Sequence, residues 1–211
     1  MQLPTTGRLL ACLCILLLAS CSTLQKPGNL PSDRKRLSMY EAREAALLTM
    51  ESWSLDGKLA VSDGKDGGSG RLEWRHQPGL SELDFRGALG RGAWQLEIRP
   101  EFAVLSLGDG EVWQADDVSE LVREHVGWDV PVDTLAWWVR GLAAPGLQEE
   151  RVLDESGLMT RLSQVGWEVE YRNYEEFSGI ALPTRLDARN GPHQVKFVMR
   201  QWTLAQSPGN G

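Results

Sequence analysis

The 211-residue chain is 42% hydrophobic, 8% aromatic and 24% charged. That balance excludes wholesale disorder and collagen-like repeats and fits one globular domain with a small appendage. The formal net charge of −7 gives no sign of the clustered cations that nucleic-acid binding needs to neutralise phosphates. The cysteines, Cys12, Cys14 and Cys21, all stand at the N-terminal end, so a disulfide-stapled core is excluded.

Residues 1–20 read as a signal peptide. Arg8 is the one early cation, and Leu9 to Ser20 (LLACLCILLLAS) is almost wholly apolar. A run of about a dozen residues is too short to span a hydrocarbon core of about 30 Å but suits the apolar region of a signal. It ends in Leu18-Ala19-Ser20-Cys21, which resembles a bacterial lipobox. The resemblance implies cleavage after Ser20, acylation of Cys21 and, with several chains, stable attachment, since one chain alone holds weakly. Ser22 follows. In lipobox proteins of Gram-negative bacteria an Asp there favours the inner membrane, so the resemblance points to the outer one. Ser22 to Leu37 reads as a linker, because Lys26-Pro27-Gly28-Asn29 and Pro31-Ser32 oppose regular structure. The expected organisation is a signal at 1–20, a lipidated N-terminus and linker at 21–37, a domain at 38–204 and a flexible tail at 205–211.

Tyr40 to about Glu51, rich in Ala, Leu, Glu and Met, predicts a helix. The period then becomes two. Trp53, Leu55, Gly57, Leu59 and Val61 alternate with Ser54, Asp56, Lys58 and Ala60 as in a half-buried strand. Asp63 to Gly70 reads as a flexible turn. Leu72 and Trp74, then Leu83 and Phe85, then Trp94, Leu96 and Ile98 are the inward positions of successive strands. Pro78-Gly79 and the tip Gly87 to Gly92 separate them. Phe102 to Leu107 and Glu111 to Gln114 flank a Gly108-Asp109-Gly110 turn, a hairpin signal. Asp116-Asp117 then caps a helix to about Val126 with the stripe Val118, Leu121, Val122 and Val126. Gly127 ends it. Pro131 opens a second helix carrying Leu135, Trp138, Val139 and Leu142, stopped by Gly141 and Pro145-Gly146. Strands resume at about Met159 to Gln164, Trp167 to Tyr174, Leu182 to Ala188 and Gln194 to Trp202. This is an antiparallel meander interrupted by a helical pair, a mostly β (α+β) fold.

Catalytic motifs are missing. His76, His125 and His193 have no metal-site spacing and no free thiol to join them. No Gly-x-Ser-x-Gly elbow occurs, and Gly64 to Gly70 lacks the ending of a phosphate loop. The pairs Asp116-Asp117, Glu149-Glu150 and Glu175-Glu176 read as caps or solvated faces. No catalytic residue, metal or cofactor is expected. What is unusual is the nine Trp. Each reads singly as core. Collectively they also fit a curved sheet that encloses an apolar cavity beneath two helices. Trp137 and Trp138, being adjacent, must face different ways.

In order and spacing, several segments resemble the LolB family of outer-membrane lipoprotein receptors. They are the lipobox and linker, Gly70 to Ile98, Ala115 to Leu142 with its Trp138-Val139-Arg140-Gly141-Leu142, and Trp167 to Trp202 ending Met199-Arg200-Gln201-Trp202. The resemblance implies an open, incomplete antiparallel β-barrel with a helical lid around a hydrophobic cavity. It implies a non-enzymatic, monomeric protein that receives acylated lipoproteins from the periplasmic carrier LolA and releases them into outer-membrane lipid. Leu72, Trp74, Leu83, Phe85, Trp94, Leu96, Ile98, Leu105, Leu121, Val139 and Leu142 are candidates to line the cavity. The residue pattern does not separate cavity from closed core. Leu89, alone a stray apolar residue at a hairpin tip, is by the resemblance the loop residue that pushes cargo into the membrane, with Ala88 where relatives often have Pro. The alternative reading is a scaffold lipoprotein with a solid core that binds another envelope protein.

Overall fold

The computed structural model describes residues 31–88 and 92–205. The stretch read as a signal, Cys21, Leu89 and most of the C-terminal tail lie outside the described residues. The first element is a helix, α1 (Pro31–Leu48). It begins earlier than expected, inside the stretch read as linker. Pro is compatible with a first helical turn, where its missing N–H costs nothing. Asp33 sits in that turn, bridged to Arg36 at 2.9 Å.

Among the described residues eleven strands follow in one sheet, with two short helices between the sixth and the seventh. The first six are β1 (Ser52–Ser62), β2 (Gly67–Gln77), β3 (Leu80–Gly87), β4 (Trp94–Ile98), β5 (Ala103–Leu107) and β6 (Val112–Ala115). Then come α2 (Val118–His125) and α3 (Val132–Trp138). The chain ends with β7 (Glu149–Leu153), β8 (Met159–Gln164), β9 (Trp167–Phe177), β10 (Ile180–Asn190) and β11 (His193–Ala205). Spatial order is β6-β5-β4-β3-β2-β1-β11-β10-β9-β8-β7. Two antiparallel meanders therefore meet at one seam, where β1 and β11 pair from Ser52↔Ala205 to Ser62↔Gln194. The register shifts at Asp56/Gly57 on that seam and again around Pro183 to Leu186 between β9 and β10. Bulges of this kind bend a sheet and increase its twist.

Alternation sets the two faces. In β1, Trp53, Leu55, Leu59 and Val61 are buried, as are Leu72 and Trp74 in β2, Leu83 and Phe85 in β3, and Trp94 and Leu96 in β4. Two expectations are corrected. Gly67 to Gly70 belongs to β2 rather than to a flexible turn. A Cβ on Gly70 would lie 2.2 Å from the Arg86 carbonyl oxygen and 2.7 Å from the Phe85 ring, so glycine serves close strand packing there. The sequence reading also passed over β7. Its Glu-Glu-Arg-Val-Leu run is mostly exposed at the sheet edge and carries no apolar alternation to betray it.

Candidate functional site

The helical pair lies against the inner face of the curled sheet. Asp117 caps α2 by accepting the Glu120 N–H at 2.9 Å, and Val118, Leu121 and Val122 point inward. Pro131 starts α3, whose Val132, Leu135 and Trp138 are buried. As the adjacency of the two indoles requires, Trp138 is buried while Trp137 is half-buried against the Arg140 guanidinium at 4.6 Å.

Between helices and sheet lies a wholly apolar space of about 20 Å³, room for about one water. Its walls are Leu59 and Val61 of β1, Leu72, Leu83, Trp94 and Leu96 of β2 to β4, and Val195 of β11. Val122, Trp128, Val130, Val132 and Leu135 form the helical side. The side chains here fill the interior almost completely. A larger cleft of about 710 Å³ opens at its end, lined by Gly67, Gly68, Ser69, Phe85, Gly87, Ala88, Trp94, Leu107, His125, Val126 and Trp128 among others. Trp94 and Trp128 border both spaces. Trp94 stacks on Phe85 with centroids 5.2 Å apart. Trp128 stands edge-on to both rings, at 4.9 Å from Phe85 and 5.7 Å from Trp94.

At its other end the helical segment is tied down by polar contacts. Gln164 of β8 accepts the Trp138 indole N–H at 3.0 Å and the Ala144 N–H at 2.9 Å, and donates to the Ala144 carbonyl at 2.8 Å. Arg43 of α1 donates to the carbonyls of Arg140, Gly141 and Ala181 at 2.5, 3.1 and 2.7 Å and lies over the Tyr174 ring at 5.5 Å. The Tyr174 hydroxyl donates to the Met159 carbonyl at 2.8 Å. Burial lowers the Arg43 guanidinium from its ordinary value and pushes the Tyr174 hydroxyl above the usual range.

Among the described residues, no acid forms an ion pair with the buried Arg140. Arg140 is 8% exposed, donates to the Ala136 carbonyl at 3.1 Å and faces the Trp53 ring at 5.6 Å. Burial brings its guanidinium down to about 10. His76 stacks on Trp53 at 5.2 Å and shares a 2.6 Å hydrogen bond with Ser81. Burial first, and the Arg140 charge second, hold its imidazole below the ordinary value. These groups support packing and offer no nucleophile.

The expected lining residues separate into groups. Leu72, Leu83, Trp94 and Leu96 border the apolar space, and Phe85 and Trp94 border the cleft. Trp74, Leu105, Leu121, Val139 and Leu142 are closed core, and Ile98 is half-buried. Trp128 escaped the sequence reading. It stands between two helices in Gly-Trp-Asp-Val-Pro, where no period assigns it a face. Only the abundance of Trp hinted at it. Among the described residues no group of His, Cys, Asp and Glu is arranged to hold a metal ion, and no helix is long and apolar enough to cross a membrane.

The architecture, one curled antiparallel sheet closed over a helical pair with an apolar interior, is shared with solved structures. A putative outer membrane lipoprotein-sorting protein domain from Vibrio parahaemolyticus superposes with a TM-score of 0.54 at 7% identity, over 84% of this chain and 95% of its own. A LolA superfamily protein from Nitrosomonas europaea gives 0.53 at 8% identity, over 81% and 94%. At such identities the likeness defines the class of fold, that of an open barrel with a helical lid. The particular family comes from sequence. The family model described as outer membrane lipoprotein LolB matches residues 51–202. The outer-membrane lipoprotein LolB of Alkalilimnicola ehrlichii is 40% identical over 94% of this chain and 98% of its own length. Those of Stutzerimonas stutzeri and Pseudomonas aeruginosa are 32% and 33% identical, covering 94% and 93% of this chain and 96% of their own. The chain belongs to the LolB family of outer membrane lipoproteins, and that membership places it at the outer membrane.

Proposed function

We propose that this protein is anchored to the periplasmic face of the outer membrane through an acylated Cys21, takes acylated lipoproteins from the carrier LolA and inserts them into the membrane, acting as a monomer without a catalytic step. The observation that carries this reading is the apolar inner face that strands of both meanders present to α2 and α3. An acyl chain of about 15 methylenes exposed to water costs roughly 12 kcal/mol at about 0.8 per CH₂. A carrier must offset most of that without holding the chain more tightly than the bilayer does. Non-directional apolar contacts meet both demands, whereas a network of hydrogen bonds would bind too selectively. In this reading Leu89, in the tip between β3 and β4, delivers the cargo to the membrane.

The test is transfer of an acylated lipoprotein from purified LolA to the full chain carrying Cys21→Ala. Co-elution of the acylated cargo, and not of its deacylated form, is expected, and failure to accept the acylated form would overturn the reading. In the lipidated protein, Leu89→Glu is expected to leave uptake near normal while reducing delivery to phospholipid vesicles several-fold. Equal loss of both would remove the role assigned to Leu89.

A further inference from the structure

We propose that Trp128 is a swinging door through which an acyl chain passes from the cleft into the interior, a proposal that rests on the acyl-carrier reading above. A space of about 20 Å³ holds no acyl chain, whereas the cleft beside it, at about 710 Å³, is in the range of about 300–1,000 Å³ usual for small-molecule sites. The indole of Trp128 stands between them, bordering both. Its displacement joins the two. The ring rests on Gly68, where a Cβ would come within 3.1 Å of Cζ2, so the sheet is thinned where the door closes.

The fastenings on either side suggest how it moves. Trp128 is held by ring edges of Phe85 and Trp94, contacts without directional bonds that slide apart at small cost each. Directly before it, Gly127 has a left-handed backbone (φ +77°) with no atom within 4 Å of the position a Cβ would take. Glycine takes that conformation without strain and has the widest choice of alternatives. Beyond α3 the chain is pinned by Gln164 and Arg43. Near Trp128 the polar ties are fewer, an Asp129–His193 contact at 3.7 Å and the Val132 N–H on the Ser119 hydroxyl at 3.2 Å, and none of them holds the indole itself, so the ring is the part that moves. The closed state also leaves the Trp94 indole N–H buried without an acceptor. An acyl carbonyl or water admitted at the threshold supplies one.

The full chain with Cys21→Ala, which alters no residue of the folded domain, provides the test. Binding of a fluorescent long-chain fatty acid is followed by stopped flow for this protein and for the same protein with Trp128→Ala or Trp128→Phe added. When association awaits a conformational change its rate is depressed, so Trp128→Ala is expected to accelerate it about tenfold and Trp128→Phe much less. Unchanged association with binding intact overturns the door and leaves the carrier reading standing. Absence of binding by all three proteins overturns both. Should Trp128→Ala fail to fold, the unaltered domain labelled with 5-fluorotryptophan answers the same question. Its Trp128 resonance, assigned by the signal lost in Trp128→Phe, is expected to shift when the fatty acid is added. A resonance that stays in place while the fatty acid binds overturns the proposal.

Discussion

The two meanders that meet at the β1–β11 seam treat their buried polar groups differently. The C-terminal one supplies acceptors to indole and phenol groups: Gln164 to Trp138 of α3, the Pro183 carbonyl to Trp202 at 3.0 Å, and the Met159 carbonyl to Tyr174. The exceptions are the Tyr171 hydroxyl and one carboxylate oxygen each of Glu149 and Asp187, buried without a partner, although the other oxygen of each acid pairs with an arginine. In the N-terminal one, Trp53, Trp74 and Trp94 all bury an indole N–H with no acceptor. A buried donor left unmet costs about 1–3 kcal/mol, so the three unmet indoles mark places on the N-terminal inner face that are not optimised for the closed state, whereas the C-terminal orphans are one hydroxyl and two oxygens of carboxylates that are otherwise paired. Directional bonds fix one position. Apolar contacts permit many. The C-terminal meander is therefore the fixed post to which the helical pair is fastened, and the N-terminal meander is the yielding surface over which it lies.

Substitutions in the two regions break or sharpen that contrast. The largest effect is expected for Gln164→Leu, which strands the Trp138 N–H and both backbone groups of Ala144. At about 1–3 kcal/mol per buried orphan, a loss on the order of 3–9 kcal/mol in urea unfolding is expected. A loss below about 1 kcal/mol, the typical net worth of a single bond, would show that the post is not held by this network. Next comes Arg43→Met, which keeps much of the apolar stem but frees three carbonyls. Those carbonyls can partly rehydrate, so about 2–3 kcal/mol is expected, with amide hydrogen exchange quickening in 139–144 more than in α2. Exchange that quickens first in α2 would reverse the assignment of fixed and moving ends. The smallest effect is expected for Trp94→Phe. It retains an aromatic ring against Phe85, shrinks the side chain and removes an unmet donor, so the two changes offset within about 1.5 kcal/mol. A larger loss would mean that the yielding face is packed as strictly as the other.

Much of the fold was legible along the chain because the inner-face residues of β1 to β4 recur at period two and the α2 stripe at helical spacing. These are local signals that follow from backbone geometry alone. The start of α1 was obscured by Pro31, read as a breaker although Pro suits a first turn. The strand at Gly67 to Gly70 was obscured because glycine required by a close neighbour looks the same in sequence as glycine in a loop. Of the residues around the apolar space, Leu72, Leu83, Trp94 and Leu96 were singled out from the sequence, whereas Trp128 was not. Alternation says that Leu72 or Leu83 faces inward, but not whether the facing helix leaves space or fills it.

By itself, then, the sequence determined the order of strands and helices, the inward positions and the resemblance to a family, since each is written in spacing or in residue identity. The tertiary structure decided how far the sheet curls, that the interior is nearly filled, that Arg43 and Gln164 secure one end of the helical pair and that Trp128 stands between cleft and core. Those features depend on meetings of residues such as Arg43 with Ala181, or Gly68 with Trp128. Such residues lie far apart in the chain, and their contact arises only when the sheet closes upon the helices.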